Sequence, residues 1–224
     1  MRVCFVSRGG IGELIKKADA AACADVYVCG FQSLGEVSYE RELKGETRCF
    51  ERVAALSGLT KSVVVCGCDT DAKGFKRKSA VVAENGKILG VSDMTNALDG
   101  EVGSGAALRV YETGKGRLGV IVAEDLYFPE VAKTLSVCGS DILICPYPSV
   151  SGNIESVLIR AHAFCYGAPV LFCGVGYCAI AGADGSLAFA SAESPVEVAF
   201  ECAKEYHLVE TRHRGFYKPP KKDY

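Results

Sequence analysis

Residues 119–130 read GVIVAEDLYFPE, and the way this stretch divides decides the fold. GVIV is a short apolar run of the kind that forms a buried strand. AED then breaks it sharply, and a helix restarts at Pro129, since proline is well tolerated in a first helical turn. Elbows of this kind often hold a nucleophile. Here the first residue of the elbow is Ala123, whose methyl group has no atom able to attack a substrate.

On either side of the elbow, apolar runs of four to six residues recur. They lie at 2–7, 25–31, 61–68, 79–84, 87–92, 107–113, 117–123, 141–148, 168–176, 186–192 and 195–203. Rich in Val and Ile and too short for independent helices, they read as about eleven strands. Apolar residues at helical spacing predict helices over 11–24, 39–59, 129–140 and 153–167, with Gly58 as a stop signal in the second. Glu84-Asn-Gly-Lys87 joins two strand patterns, and Asn-Gly suits a type I′ hairpin turn. So many strands with so few helices imply two mixed sheets face to face with helices outside, in a single domain over residues 1–224.

Composition narrows the function classes. Apolar residues make up 49% of the 224, the formal charge is −2 and the pI is near 6.0, so neither nucleic acid nor an anionic membrane is indicated as a partner. The run at 218–222 is the one basic cluster and reads as a solvated tail. The first apolar run is too short for a signal peptide, and no run reaches the roughly 18 residues of a membrane span. A soluble, cytoplasmic protein is expected. Twelve cysteines sit largely inside apolar runs, as reduced thiols acting as small hydrophobes, and no CxxC or Cys/His zinc spacing occurs. Neither cofactor nor metal is expected.

These patterns together resemble the nitrilase, or carbon–nitrogen hydrolase, superfamily, whose fold is a four-layer α-β-β-α sandwich. Residues 119–130 and the helix and strand that follow, to Pro146, resemble the family's "G-x-x-I-C-Y-D-x-x-F-P-E" segment. KRKSAVVAENGKILGVSDM, residues 76–94, resembles its lysine-ending hairpin. Arg160-Ala-His-Ala-Phe-Cys-Tyr166 resembles its "R-A-R-A-x-E-N" helix, and HLVETRHRGFY, residues 207–217, its C-terminal strand with arginine and aromatic.

The resemblance implies an activity and, at the same time, its loss. Active members use a glutamate as general base, a lysine to stabilise the tetrahedral intermediate and an elbow cysteine as nucleophile. Carried over by position, these fall on Gly30, Met94 and Ala123, so no catalytic residue of the family reaction is expected. Joint loss is physically coherent, because removing only one of a buried Glu and Lys strands the other charge at about 3–5 kcal/mol. The implied protein is a degenerate member that binds an unknown small molecule or assembles as a homodimer, as the family commonly does.

Other chemistry stays open at this point. A displaced thiol, Cys145 above all, would rebuild an amide or nitrile hydrolase, and Cys29, Glu124, Cys145 and Tyr147 are candidate binding residues. Cys66, Cys68 and Cys173 also end strands that would surround a pocket, and converging thiols would make a redox or metal module. Asp125 matches the family motif and is expected to hold the elbow's backbone. His162, His207 and His213 have no Ser or Cys nearby in sequence and read as surface or interface residues. Gly9-Gly10-x-Gly12 lacks the Lys-Ser/Thr of a phosphate loop.

Overall fold

The computed structural model describes residues 1–17, 24–98, 100, 102–150 and 153–203. The 207–217 and 218–222 segments, His207, His213 and the second half of the 11–24 helix therefore lie outside the described residues. The chain order is β1 (Arg2–Val6), α1 (Ile11–Lys17), β2 (Val26–Cys29), β3 (Glu36–Ser38), α2 (Tyr39–Leu43), α3 (Cys49–Thr60), β4 (Val63–Ala72), β5 (Phe75–Glu84) and β6 (Lys87–Asp93). It continues with β7 (Val110–Thr113), β8 (Gly116–Val120), α4 (Pro129–Val137), β9 (Ile142–Pro146), α5 (Ile154–Tyr166), β10 (Val170–Gly174), β11 (Tyr177–Ala181), β12 (Leu187–Ser191) and β13 (Val196–Ala199).

The strands form two mixed sheets. One runs β13-β1-β2-β4-β5-β6, with β3 also paired to β4; the other runs β12-β11-β10-β9-β8-β7. Strict alternation along each strand splits the apolar residues into three layers. Val3, Phe5, Val28, Val65 and Val82 of the first sheet meet Leu118, Val120, Ile142, Ile144, Leu171 and Ile180 of the second. The opposite face of the first sheet packs with Ile11, Val53 and Leu56 of α1 and α3, and that of the second with Val131, Leu135, Ile159 and Ala163 of α4 and α5. The result is the expected α-β-β-α sandwich.

Several elements differ from the sequence reading. The 39–59 helix is two helices, because Gly45 takes φ 72 and reverses the chain. The carboxylate of Glu42 then accepts hydrogen bonds from the amides of Cys49 and Phe50 and caps α3 from outside. β4 and β5 extend past their apolar cores into polar sequence, where ten continuous register pairs hold them. β3 and β11 were hidden, the first by its brevity and the second because it follows β10 with only a two-residue turn. The Asn85-Gly86 turn has φ 51 and 78, positive at both central positions as type I′ requires.

Candidate functional site

β8 delivers the chain to the elbow, and one turn of 3-10 helix, Ala123–Tyr127, carries it to Pro129 and α4. Ala123 sits at φ 51, a left-handed conformation that L-residues other than glycine seldom adopt, and it is fully buried. Two anchors keep the backbone there. Asp125, 1% exposed, accepts hydrogen bonds from Thr95 N (2.8 Å), Thr95 Oγ1 (3.0 Å), Asn96 N (2.9 Å) and Asn96 Nδ2 (2.9 Å). On the other side, His162 of α5 is buried and bonds Leu126 O through Nε2 at 2.8 Å. Asp125 therefore does what the sequence suggested, whereas His162 is an internal clamp and not a surface residue.

Burial lowers the His162 pKa below the ordinary 6.5, with the Leu126 hydrogen bond opposing the shift. The sign of the stability effect follows directly. Below about pH 6.5 the unfolded chain takes up a proton that the folded chain resists, so stability should fall as pH drops, by at most about 1.4 kcal/mol per unit. Urea melts from pH 7 to 5 on wild type and His162→Gln test this; equal slopes would refute it.

Met94 follows β6, is 2% exposed and lies in the inter-sheet core with Ala123. Its amide donates to Lys78 O and its carbonyl accepts from Gly105 N. Gly30 directly follows β2, and a Cβ built there would have as its nearest neighbours the carbonyl oxygens of Val6, Cys173 and Gly174, each at 3.7 Å. The side chain that enters the inter-sheet core is the next one, Phe31, 4% exposed. Its ring covers Gly67, where an added Cβ would fall 2.5 Å from Cδ2 and 2.8 Å from Cε2. Sequence reasoning missed Phe31 because the 25–31 run extends two residues beyond β2, so the strand ended two residues earlier than its apolar pattern indicated.

The cysteines do not converge on Ala123, although Cys29 and Cys66 are register partners on β2 and β4 and share a side-chain hydrogen bond. Alternation turns Cys29, Cys66 and Cys68 toward α1 and α3, and Cys145 toward α4 and α5, away from Ala123. Only Cys173 and Cys178 of these strands share the inter-sheet core. Burial pushes the Cys145 thiol well above the ordinary range, and the Asp125 and Glu124 carboxylates push it the same way. Cys145 is thus held as a thiol, the opposite of an activated nucleophile. Tyr147 belongs to the same outer layer, its hydroxyl donating to Tyr127 Oη at 3.2 Å and its ring 5.5 Å from Phe172. Among the described residues, no three His, Cys, Asp or Glu are grouped to hold a metal.

Among the cysteines of the described residues, mass-spectrometric mapping of native thiol labelling should find exposed Cys138 and Cys165 modified first. Cys29, Cys66, Cys68, Cys145 and Cys173, all fully buried, should label only on unfolding. Labelling of Cys145 as fast as Cys138 would mean an open path to it.

Glu124, beside Ala123, is the one predicted binding residue in a charged setting. Its Oε1 pairs with Lys78 Nζ at 2.6 Å, joining the elbow to the opposite sheet, while Oε2 is buried without a hydrogen-bond partner. The group formed by Phe31, Met94 and Ala123 offers a ring, a thioether and a methyl: no proton to move, no charge and no nucleophile.

A family model described as carbon-nitrogen hydrolase matches residues 25–200. Solved structures with the same fold include a cysteine-to-alanine mutant of the Nesterenkonia AN1 amidase from the nitrilase superfamily, with TM-score 0.75 and 16% identity over 94% of this chain and 93% of that one. The carbon-nitrogen hydrolase of Helicobacter pylori G27 gives 0.71 and 20% over 95% and 91%. A glutamate-to-glutamine mutant of the Nesterenkonia amidase gives 0.75 and 16% over 95% and 96%, and that protein shows Michael addition of acrylamide at its active-site cysteine. No curated protein sequence matches the chain.

Proposed function

Because the chain belongs to the carbon–nitrogen hydrolase family, we propose that it is a catalytically degenerate member, acting by binding a small molecule or by assembly and not by hydrolysis. One observation carries the reading: the strained elbow is intact, yet its residue is Ala123, and its buried apolar neighbours include Met94 and Phe31. Losing the members of a catalytic unit costs about six orders of magnitude in turnover where this has been measured in a serine protease. The chain should therefore hydrolyse neither simple aliphatic amides nor nitriles above the buffer rate. Ala123→Cys should stay equally inert, since the carboxylate and ammonium beside it, Glu124 and Lys78, are tied to each other at 2.6 Å. Wild-type turnover that Cys145→Ser abolishes would sink this reading in favour of a rebuilt thiol hydrolase.

The assembly we favour is a homodimer. α5 carries Ile154, Val157 and Phe164 along one outward stripe, 47%, 55% and 49% exposed, and α4 exposes Val137 at 60%. A monomer mass in sedimentation at micromolar concentration would remove it.

A further inference from the structure

Two of the buried thiols face each other across a hairpin. β10 and β11 are antiparallel and joined by only Val175 and Gly176, and their register sets Cys173 directly opposite Cys178. Register partners stand on the same face of a sheet, and both side chains here lie in the inter-sheet core. The carbonyl of Cys173 is turned the other way, accepting from Tyr147 N at 2.9 Å just past β9. Cys173 and Cys178 are therefore a pair with no ladder hydrogen bond between them. That is the closer of the two antiparallel pair types, with Cα atoms about 4.5 Å apart. A disulfide spans Cα separations of ~4.4–6.8 Å, so the backbone already stands at disulfide distance.

The surroundings favour this pair over the other thiol register pair of the described residues, Cys29 and Cys66. Parallel strands have no such close pair, and α1 and α3 cover that face. Cys178 lies nearer a rim: its Sγ donates to Ser191 O at 3.5 Å, on β12, the end strand of its sheet. Burial pushes the Cys178 thiol up to about 11 and the Cys173 thiol well above the ordinary range, so without an oxidant both stay protonated.

We propose that Cys173 and Cys178 form a reversible oxidation site for small hydroperoxides, closing to a disulfide across the β10–β11 hairpin. The Cys178 sulfur attacks one oxygen of hydrogen peroxide and breaks the O–O bond; the departing hydroxide takes the thiol proton and leaves as water. The Cys173 sulfur then displaces the hydroxyl of the resulting sulfenic acid, the S–S bond forms, and that hydroxyl leaves with the Cys173 proton as a second water. The two thiols lose two electrons between them and one peroxide is reduced to two waters. Hydrogen peroxide is little larger than water, so it enters packing that shuts out a bulky labelling reagent. The site is independent of the small-molecule and homodimer readings.

Mass spectrometry of the reduced full chain after exposure to hydrogen peroxide in native buffer tests it, with catalase quenching and alkylation under denaturing conditions. Tyr177 lies between the two cysteines, so chymotryptic cleavage after it leaves two peptides that only a disulfide holds together. The expected result is a 173–178 link as the predominant crosslink, with loss of alkylation at both positions that dithiothreitol restores. Cys173→Ser and, should that fold poorly, Cys173→Ala should abolish the link and leave Cys178 as a sulfenic acid that dimedone captures. Three results overturn the proposal: no 173–178 link when exposed Cys138 is already oxidised, a link that appears only in urea, or Cys29–Cys66 as the predominant crosslink.

Discussion

Met94→Lys should destabilise the protein by about 3–5 kcal/mol, the usual cost of a buried charge without a partner. Met94 is 2% exposed and lies in a cluster of apolar side chains that includes Phe31, Ala123, Val65 and Val120. In a chain of this length each kcal/mol lowers the melting temperature by roughly 2–4 °C. The pH dependence identifies the cause. Burial lowers a lysine's pKa, so the folded variant sheds its proton before the unfolded chain does, and its stability should recover as pH rises toward 10. Met94→Leu, a swap of similar volume, should cost less than about 1.5 kcal/mol and show no such slope. Adding Phe31→Glu to Met94→Lys should cost less than the two single changes summed, because each supplies the other's counter-charge. A Met94→Lys variant as stable as wild type would mean that water reaches this space, and the sealed-site reading would fail with it.

Asp125→Ala should cost a comparable amount, about 3–5 kcal/mol. The carboxylate is 1% exposed and accepts four hydrogen bonds, two of them from the backbone amides of Thr95 and Asn96. Alanine removes the acceptor and leaves buried donors without partners, which costs more than the hydrogen bonds themselves contribute. Asp125→Asn keeps one acceptor oxygen and should fall between. Amide hydrogen exchange gives the local readout: protection at Thr95 and Asn96 should collapse in Asp125→Ala while strands such as β1 and β2 keep theirs to the extent that global stability allows. Unchanged protection at those two amides would show that the elbow is held by something other than this carboxylate.

Both predictions concern the same residual frame. Ala123 keeps a left-handed backbone, which costs about 1–2 kcal/mol for an L-residue, although it presents no reactive atom. Asp125 and His162 hold that conformation from opposite sides, and Glu124 reaches Lys78 across to the first sheet. The elbow thus works mechanically, as a clasp between the two sheets.

Much of this was legible in the sequence. The apolar runs, the Asn85-Gly86 turn and the 119–130 segment were enough for two sheets, outer helices and the family, because strand and helix periods are local properties of the chain. The absence of a cysteine at Ala123 and of a lysine at Met94 follows from residue identity alone. Other features required the tertiary structure. Whether the 25–31 run ended at Cys29 or later depended on pairing with β1 and β4, and that boundary makes Phe31, and not Gly30, the side chain that fills the inter-sheet space. Cys145 reads as a pocket thiol in sequence, but the pleat of β9 turns it toward α4 and α5, since a one-residue change of parity moves a side chain to the opposite face. Glu36 and Asp69 lie thirty-three positions apart, and only the register of β3 against β4 brings their charges together. Residue identity determined which side chains stand at the elbow and after the hairpin; the parity and register of the strands decided which of them fill the inter-sheet space and which charges face one another.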